Sequence, residues 1–216
     1  MKSDNATDGC QPDRHFPRIV TDLGKQGWSL ASGFLDETAW TPLFMRATAI
    51  DDYRPAGVGR GDNHHRNGFV RNDGIFWLEV GHIADAVWLD LMEQLRLAIN
   101  RALFLGLFEF ESHYARYRPG AFYRRHLDAF RGQGNRVVST VLYLNPDWHA
   151  AHGGELVIYP PEATEGQRFL PRAGDLAIFL SEKIPHEVLA ARRSRFSIAG
   201  WFRMNGSTGE RPNPAF

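Results

Sequence analysis

Apolar residues recur at two different periods along this chain, and the change of period divides it. Phe16, Ile19, Val20 and Leu23 fall three or four apart, which places them on one helical face, and the run stops at Gly24 and Gly27. This spacing predicts a short amphipathic helix followed by a strand at 28–30. A second helix is expected over about 36–49. Asp36 is a good N-cap, but Thr41-Pro42 also reads as a cap plus first helical residue, so its start stays open. The clearest helix spans 84–103: Trp88, Leu91, Met92, Leu95, Ile99 and Leu103 form one stripe, while Asp90, Glu93, Arg96 and Asn100 lie elsewhere. Such a stripe packs against a sheet.

After that helix the period shortens to two. Runs at 108–117, 137–144, 155–159, 175–180 and 195–202 read as strands, with an earlier one at 75–80. Arg118-Pro119-Gly120, Gly132 to Asn135, Gly153-Gly154 and Pro171 to Gly174 separate them as turns. Many short strands with no helix between them predict a mainly β fold, an antiparallel sandwich or jelly roll buttressed by the N-terminal helices. Residues 51–72 follow neither period. They carry Gly57, Gly59, Gly61 and the pair His64-His65, and read equally as a mobile substrate loop or as a plain surface insertion.

A length of 216 residues with 43% hydrophobic positions suits one domain with its own core. The expected division is a disordered tail over 1–13, a single domain over 14–204 and a loose tail over 205–216. Lys plus Arg and Asp plus Glu both number 25, so no global field recruits nucleic acid or anionic lipid. Cys10 is the one cysteine, which excludes an intrachain disulfide and a cysteine zinc site and fits a reducing cytoplasm. The longest apolar run, 102–108, is too short to cross a bilayer, and the first 13 residues hold no apolar leader segment. No membrane association is expected.

Candidate chemistry begins with His126 and Asp128, two residues apart in what reads as strand, where alternation points both the same way. The pair alone means little, since composition gives roughly 0.6 chance occurrences of His-x-Asp. His186 and Arg195 change that. Two imidazoles and one carboxylate on one face of a metal suit Fe(II) and leave positions open for an oxo-acid and O2. A buried arginine is the natural clamp for the far carboxylate of that acid, because its planar fork donates two charge-assisted hydrogen bonds. Alternation puts Arg195 on a face with Ser197, Ala199 and Trp201, and puts Tyr143 on a face with Ser139 and Val141. The phenol of Tyr143 is therefore a second candidate for that carboxylate.

At these residues the chain resembles the Fe(II)/2-oxoglutarate-dependent dioxygenases, and within them the oxygen-sensing prolyl hydroxylases and their bacterial relatives. The matching text is Tyr-x-Pro-Gly-x-Phe-Tyr-x-x-His-x-Asp over 117–128, Leu-Tyr-Leu-Asn-x-x-Trp over 142–148 and Gly-Gly-x-Leu over 153–156. Pro-His-Glu-Val over 185–188, Arg-Phe-Ser-Ile-x-Gly-Trp-Phe over 195–202 and the segment Arg71 to Trp77 complete it. The resemblance implies a double-stranded β-helix with its jelly-roll core over 107–203 and residues 51–72 as substrate loop. It implies His126, Asp128 and His186 as iron ligands, Arg195 and Tyr143 as the clamp on 2-oxoglutarate, and Tyr117 as a further cosubstrate contact. Tyr123, Arg136 and Trp201 match residues lining a target-proline pocket. The activity implied is hydroxylation of a proline in a protein, with O2 and 2-oxoglutarate converted to succinate and CO2, and with ascorbate as reductant. A cytoplasmic monomer is expected.

Each residue also has a plainer reading. A lone His after a strand is usually a satisfied surface or core residue, Arg195 can belong to the basic run begun by Arg192-Arg193, and Tyr143 and Trp201 can be core aromatics. His64, His65, His149 and His152 are expected to be solvated loop residues. Two other functions remain: the same chemistry on a small molecule or another side chain, and a non-catalytic jelly-roll metal-binding module. Nucleic-acid dealkylases of the superfamily place a second arginine six residues after the first, where this chain has Trp201, so no nucleic-acid partner is expected.

Overall fold

The period-two segments form two antiparallel sheets and the period-3.6 segments stand against the larger one, in a computed structural model that describes residues 11–56, 70–129, 135–161 and 163–205. The larger sheet has seven strands. From one edge to the other they are β1 (Trp28–Ala31), β9 (Leu176–Leu180), β6 (Arg136–Tyr143), β11 (Arg195–Met204), β4 (Leu107–Tyr117), β3 (Gly74–Trp77) and β2 (Arg54–Pro55). The smaller sheet runs β5 (Tyr123–His126), β10 (His186–Val188), β7 (Leu156–Ile158) and β8 (Gln167–Phe169). The architecture is mixed, two antiparallel sheets plus helices, with no closed barrel among the described residues.

The central strand β11 shows why alternation decides the architecture. Phe196, Ile198 and Phe202 face the helices, where Ile198 and Phe202 share a core with Trp88, Met92, Leu95 and Ile99. On the opposite face Arg195, Ser197 and Trp201 look toward the smaller sheet. There a second, smaller core gathers Tyr117, Tyr143, Ala177 and Phe179 of the large sheet with Leu156, Ile158 and Val188 of the small one. The large sheet thus buries one face on helices and presents the other to the site.

Helix α1 (Phe16–Gln26) passes through Gly24 and stops at Gly27, which adopts φ +82°. A short 3-10 turn at Pro12–His15 precedes it, so residues 12 and 13, expected at the end of a disordered 1–13 tail, form a turn. The open start of α2 (Glu37–Ala49) resolves at Asp36: its carboxylate accepts from the Ala39 N–H at 2.9 Å, and Pro42 is carried inside the helix. Gly174, in the turn before β9, has φ +83°, and a Cβ there would lie 2.2 Å from the Leu35 carbonyl oxygen. Only glycine lets that turn pass against the segment leading into α2.

Helix α3 (Ile83–Leu103) is docked by more than its apolar stripe. Asp85 is fully buried near its start and accepts from Tyr114 Oη at 2.6 Å and from the Glu79 N–H at 2.9 Å, with Arg46 Nε 3.9 Å away. This ties the helix to the middle of β4. Tyr114→Phe leaves the carboxylate short of a donor and is expected to lower unfolding free energy by roughly 1.5–3 kcal/mol, read by urea titration.

Candidate active site

Strand pairing brings the first two candidates together. His186 of β10 stands directly opposite His126 of β5, and their rings lie 4.2 Å apart. Asp128 is not in the strand as expected. β5 ends at His126, and the chain bends so that the carboxylate comes back toward the imidazoles instead of projecting by alternation. Its Oδ1 lies 3.4 Å from His126 Nε2 and its Oδ2 lies 3.7 Å from His186 Nε2. One donor atom from each residue falls within 4.8 Å of the others, a spacing that fits a single metal ion.

Both rings are oriented by the backbone. His126 Nδ1 is 2.7 Å from the Arg124 carbonyl oxygen and His186 Nδ1 is 3.1 Å from that of Ile184. A carbonyl only accepts, so each Nδ1 carries the proton and each Nε2 keeps a lone pair toward the cluster. Burial lowers the pKa of His186 from 6.5 to about 4, outweighing the attraction of Asp128, so that ring is neutral at neutral pH. Burial opposes charge on Asp128 as well. The facing imidazoles of His186 and His126 and a hydrogen bond from Ser139 outweigh it, and the carboxyl is held well below the usual range. A neutral imidazole beside an ionised carboxylate is the protonation state a divalent cation requires.

Arg195 lies deeper between the sheets and is fully buried. Its Nε donates to the Gly154 carbonyl at 3.0 Å and its Nη1 to Ser197 Oγ at 3.1 Å, while Nη2 has no partner. Tyr143, across the ladder from Ser197, has its ring 5.3 Å from the guanidinium and a buried hydroxyl that also lacks a partner. Burial, against the pull of Arg195, raises the pKa of that phenol, so it stays a donor. Two buried donors without acceptors beside a metal-sized cluster fit the carboxylate of an oxo-acid. Gly154 completes the cradle with φ +73°. A Cβ there would sit 3.3 Å from Arg195 Cδ. Tyr117 closes the other side, its ring 4.9 Å from the Arg195 guanidinium.

Tyr123 stacks on His126 with centroids 3.5 Å apart, and Arg71 covers its other face at 4.3 Å. Arg71 is itself fixed by a two-pronged pair with buried Asp73, at 2.8 and 2.6 Å. At the mouth, Arg136 lies 3.6 Å over Trp201, whose Nε1 is buried without a partner. Of the three expected wall residues, Tyr123 touches a cluster histidine directly, and Trp201 stands across the ladder from Ser139, which bonds to Asp128. His149 and His152 bond to each other through the backbone in a 3-10 turn and do not join it. His64 and His65, and positions 57–69 of the expected substrate loop, lie outside the described residues.

Sequence reasoning missed three residues here. Ser139 donates to Asp128, though its place on the Tyr143 face was a usable signal. Asp73 holds Arg71, and only the i, i+2 spacing hinted at it. His113, buried in β4, packs its ring 5.3 Å from Trp77 and 5.4 Å from Trp201.

Comparison with known proteins then places the chain. The family model of the 2OG-Fe(II) oxygenase superfamily matches residues 112–203. Rat Egl nine homolog 1 is 38% identical over 85 residues, covering 38% of this chain and 25% of that protein, so the chain spans about a quarter of that relative. Mouse prolyl hydroxylase EGLN3 is 36% identical over 209 residues, 85% of this chain and 81% of that one. Among solved structures, a Pseudomonas putida prolyl-4-hydroxylase superposes with a TM-score of 0.81 at 42% identity, covering 88% of this chain and 100% of that chain.

The environment of His113 makes a pH prediction. Burial, followed by the nearby Arg71 guanidinium, lowers its pKa from 6.5 to about 4. The unfolded chain binds this proton near pH 6.5 and the folded chain resists it, so stability is present above 6.5 and is lost as pH falls. The contribution of His113 to that loss is roughly 3 kcal/mol by pH 4. Urea titrations of metal-free protein are expected to show a shallower decline in His113→Met than in wild type over this window; equal slopes count against the assignment.

Proposed function

The chain belongs to the 2OG-Fe(II) oxygenase superfamily, among its prolyl hydroxylases, and from that premise we propose that its site hydroxylates a prolyl residue in a protein substrate. The observation that carries the reading is the coincidence of two features. A His126, Asp128, His186 cluster of metal-binding size stands beside two buried donors, Arg195 Nη2 and Tyr143 Oη, that await an acceptor. The finer architecture is a double-stranded β-helix, supported by the two facing sheets and by the superposition on the Pseudomonas putida enzyme.

In this proposal His126, Asp128 and His186 hold Fe(II), while Arg195 and Tyr143 bind the far carboxylate of 2-oxoglutarate. When bound, the iron supplies the chemistry that couples oxidative decarboxylation of 2-oxoglutarate by O2, giving succinate and CO2, to insertion of the second oxygen atom into a substrate C–H bond. The chain's own residues supply placement. Two backbone carbonyls fix the tautomers of the ligand rings, so the lone pairs are aimed before metal arrives. Arg195 is locked at Nε and Nη1 and retains one guanidinium edge for the cosubstrate, which fixes that molecule's depth. Phe179, 4.5 Å from the His186 ring, and Tyr123 on His126 wall the cluster with apolar surface that keeps water away.

Tyr123, Arg136 and Trp201 form the proposed target pocket. A proline ring is compact, apolar on both faces and without a backbone N–H, which suits the aromatic planes of Tyr123 and Trp201 better than a charged side chain would. A single domain over 14–204, a monomeric state and a cytoplasmic location belong to the same proposal, and the single cysteine supports the last of these. Among the described residues no helix is long and apolar enough to cross a membrane.

Succinate formation with Fe(II), 2-oxoglutarate, O2 and proline-containing peptides tests the reading, with mass spectrometry for one added oxygen on proline. His126→Ala and Asp128→Ala are expected to abolish turnover, as is a metal chelator. Arg195→Ala is expected to raise the KM for 2-oxoglutarate at least roughly 30-fold, the equivalent of losing about 2 kcal/mol from a buried charge-assisted contact. Wild-type protein that binds iron yet consumes no 2-oxoglutarate, with or without peptide, would point to a binding module instead.

A further inference from the structure

Two serines behind the cluster do something that the ligand set alone does not explain. Ser139 of β6 donates its hydroxyl proton to Asp128 Oδ2 at 2.6 Å, and its oxygen lies 2.9 Å from Ser181 Oγ. A serine hydroxyl has one proton. Because the proton of Ser139 is committed to the carboxylate, the contact with Ser181 runs the other way, with Ser181 donating to Ser139. The three groups form a directed chain that ends on one oxygen of Asp128. Both serines are buried, at 1% and 0% exposure, so water does not compete for these bonds.

The chain's placement follows from the fold. Ser139 faces the site from between Trp201 of β11 and Phe179 of β9, its partners in the ladders on either side. Ser181 directly follows β9, and its own N–H donates to the Val137 carbonyl at 2.9 Å. The backbone of the rigid sheet therefore fixes both hydroxyls, whereas Asp128 sits beyond the end of β5 in a bend with no ladder of its own. A carboxylate on such a bend has rotational freedom that a metal ligand must lose.

We propose that Ser139 and Ser181 form a positioning pair that engages Asp128 Oδ2, so that the carboxylate meets the metal through Oδ1 alone. The inference rests on the ligand assignment proposed above and adds a role that the assignment does not contain. A carboxylate free at both oxygens can close on a cation with both, which consumes a coordination position. An oxo-acid needs two positions and O2 a third, so a carboxylate limited to one oxygen keeps all three available. Donation from Ser181 strengthens the bond of Ser139, since each hydroxyl in a chain polarises the next.

Co(II) serves as the probe, because its visible d–d absorption reports coordination number without turnover. Ser139→Ala is expected to weaken Co(II) binding, measured by calorimetry on the otherwise intact chain, by about 10–100-fold. It is also expected to change the d–d spectrum, and Ser139→Thr, which restores a hydroxyl, returns both toward wild type. Ser181→Ala shifts both in the same direction by less, and carries the test if Ser139→Ala fails to fold. Wild-type affinity or a wild-type spectrum in Ser139→Ala overturns the pair's role, as does failure of threonine to restore either. A wild-type protein that does not bind Co(II) overturns the ligand assignment and this role with it, an outcome distinct from a variant that matches a metal-binding wild type.

Discussion

The structure is built around charge placed where water is not. Asp128 and Arg195 both lie between two sheets whose facing residues are otherwise mostly apolar or aromatic, and moving either ion out of water costs several kcal/mol. Each is compensated differently. Arg195 spends two of its edges on the Gly154 carbonyl and Ser197, which secures its geometry and leaves one edge for an anion. Asp128 accepts from Ser139 on one side and faces the Nε2 lone pairs of two imidazoles on the other, a set that a divalent cation can bridge. The inter-sheet space therefore tolerates these charges because it is arranged as a binding site, and the rigidity of its walls has to come from somewhere else.

That rigidity comes from the other face of the large sheet. β11 and β4 pair over nearly their whole length, and the strand between β11 and β9 carries Ser139 and Tyr143 on a single face. Helix α3 seals the back with Trp88, Met92, Leu95 and Ile99, each worth about 1.5–3 kcal/mol when fully buried. The Asp85 and Tyr114 contact pins that helix to β4 at the residue next to His113. The small sheet is thinner. Its strands are three or four residues long, and it holds His126 and His186 by one cross-strand pair, so the ligand positions depend on the large sheet and its core for their precision.

How far the sequence discloses this depends on what kind of contact places each residue. β11, β6 and α3 were legible because a long period, two or 3.6, is repeated often enough to rise above chance. β8 and β10 were not, because three residues cannot show a period; their pairing with β7 makes them strands. His126, His186 and Arg195 were legible as residue types in a known order, yet the geometry behind that order was misread for Asp128. The strand alternation that first paired it with His126 ends at the histidine, and a bend does the work that alternation was expected to do. The start of α2 shows the same limit in reverse. Asp36 and Thr41 are equally good caps on paper, and the structure shows the earlier one in use, with the Asp36 carboxylate accepting from the Ala39 N–H while Leu35 just before it is tied to the Gly174 carbonyl. Ser139 was visible as a face-mate of Tyr143, but its bond to Asp128 joins β6 to a bend eleven residues upstream, which no local pattern encodes.

The mouth of the site carries the last consequence of burying charge. Glu111 accepts from Arg136 at 2.8 Å and from Arg203 at 3.0 Å, while Arg203 also meets Glu109 at 3.1 Å. Two guanidiniums and two carboxylates cancel within the wall. Arg136 is therefore presented to the pocket as a flat surface lying on Trp201 and not as a charge in search of a partner. An acidic side chain entering there would have to break an existing pair to gain a new one, so its net gain is small. In the proposed pocket a neutral ring loses little water on entering, and the Arg136 and Trp201 stack offers it a planar surface. On the proposed function the wall thus selects by shape and desolvation, and the ion pairs at its rim serve mainly to hold the planes in place.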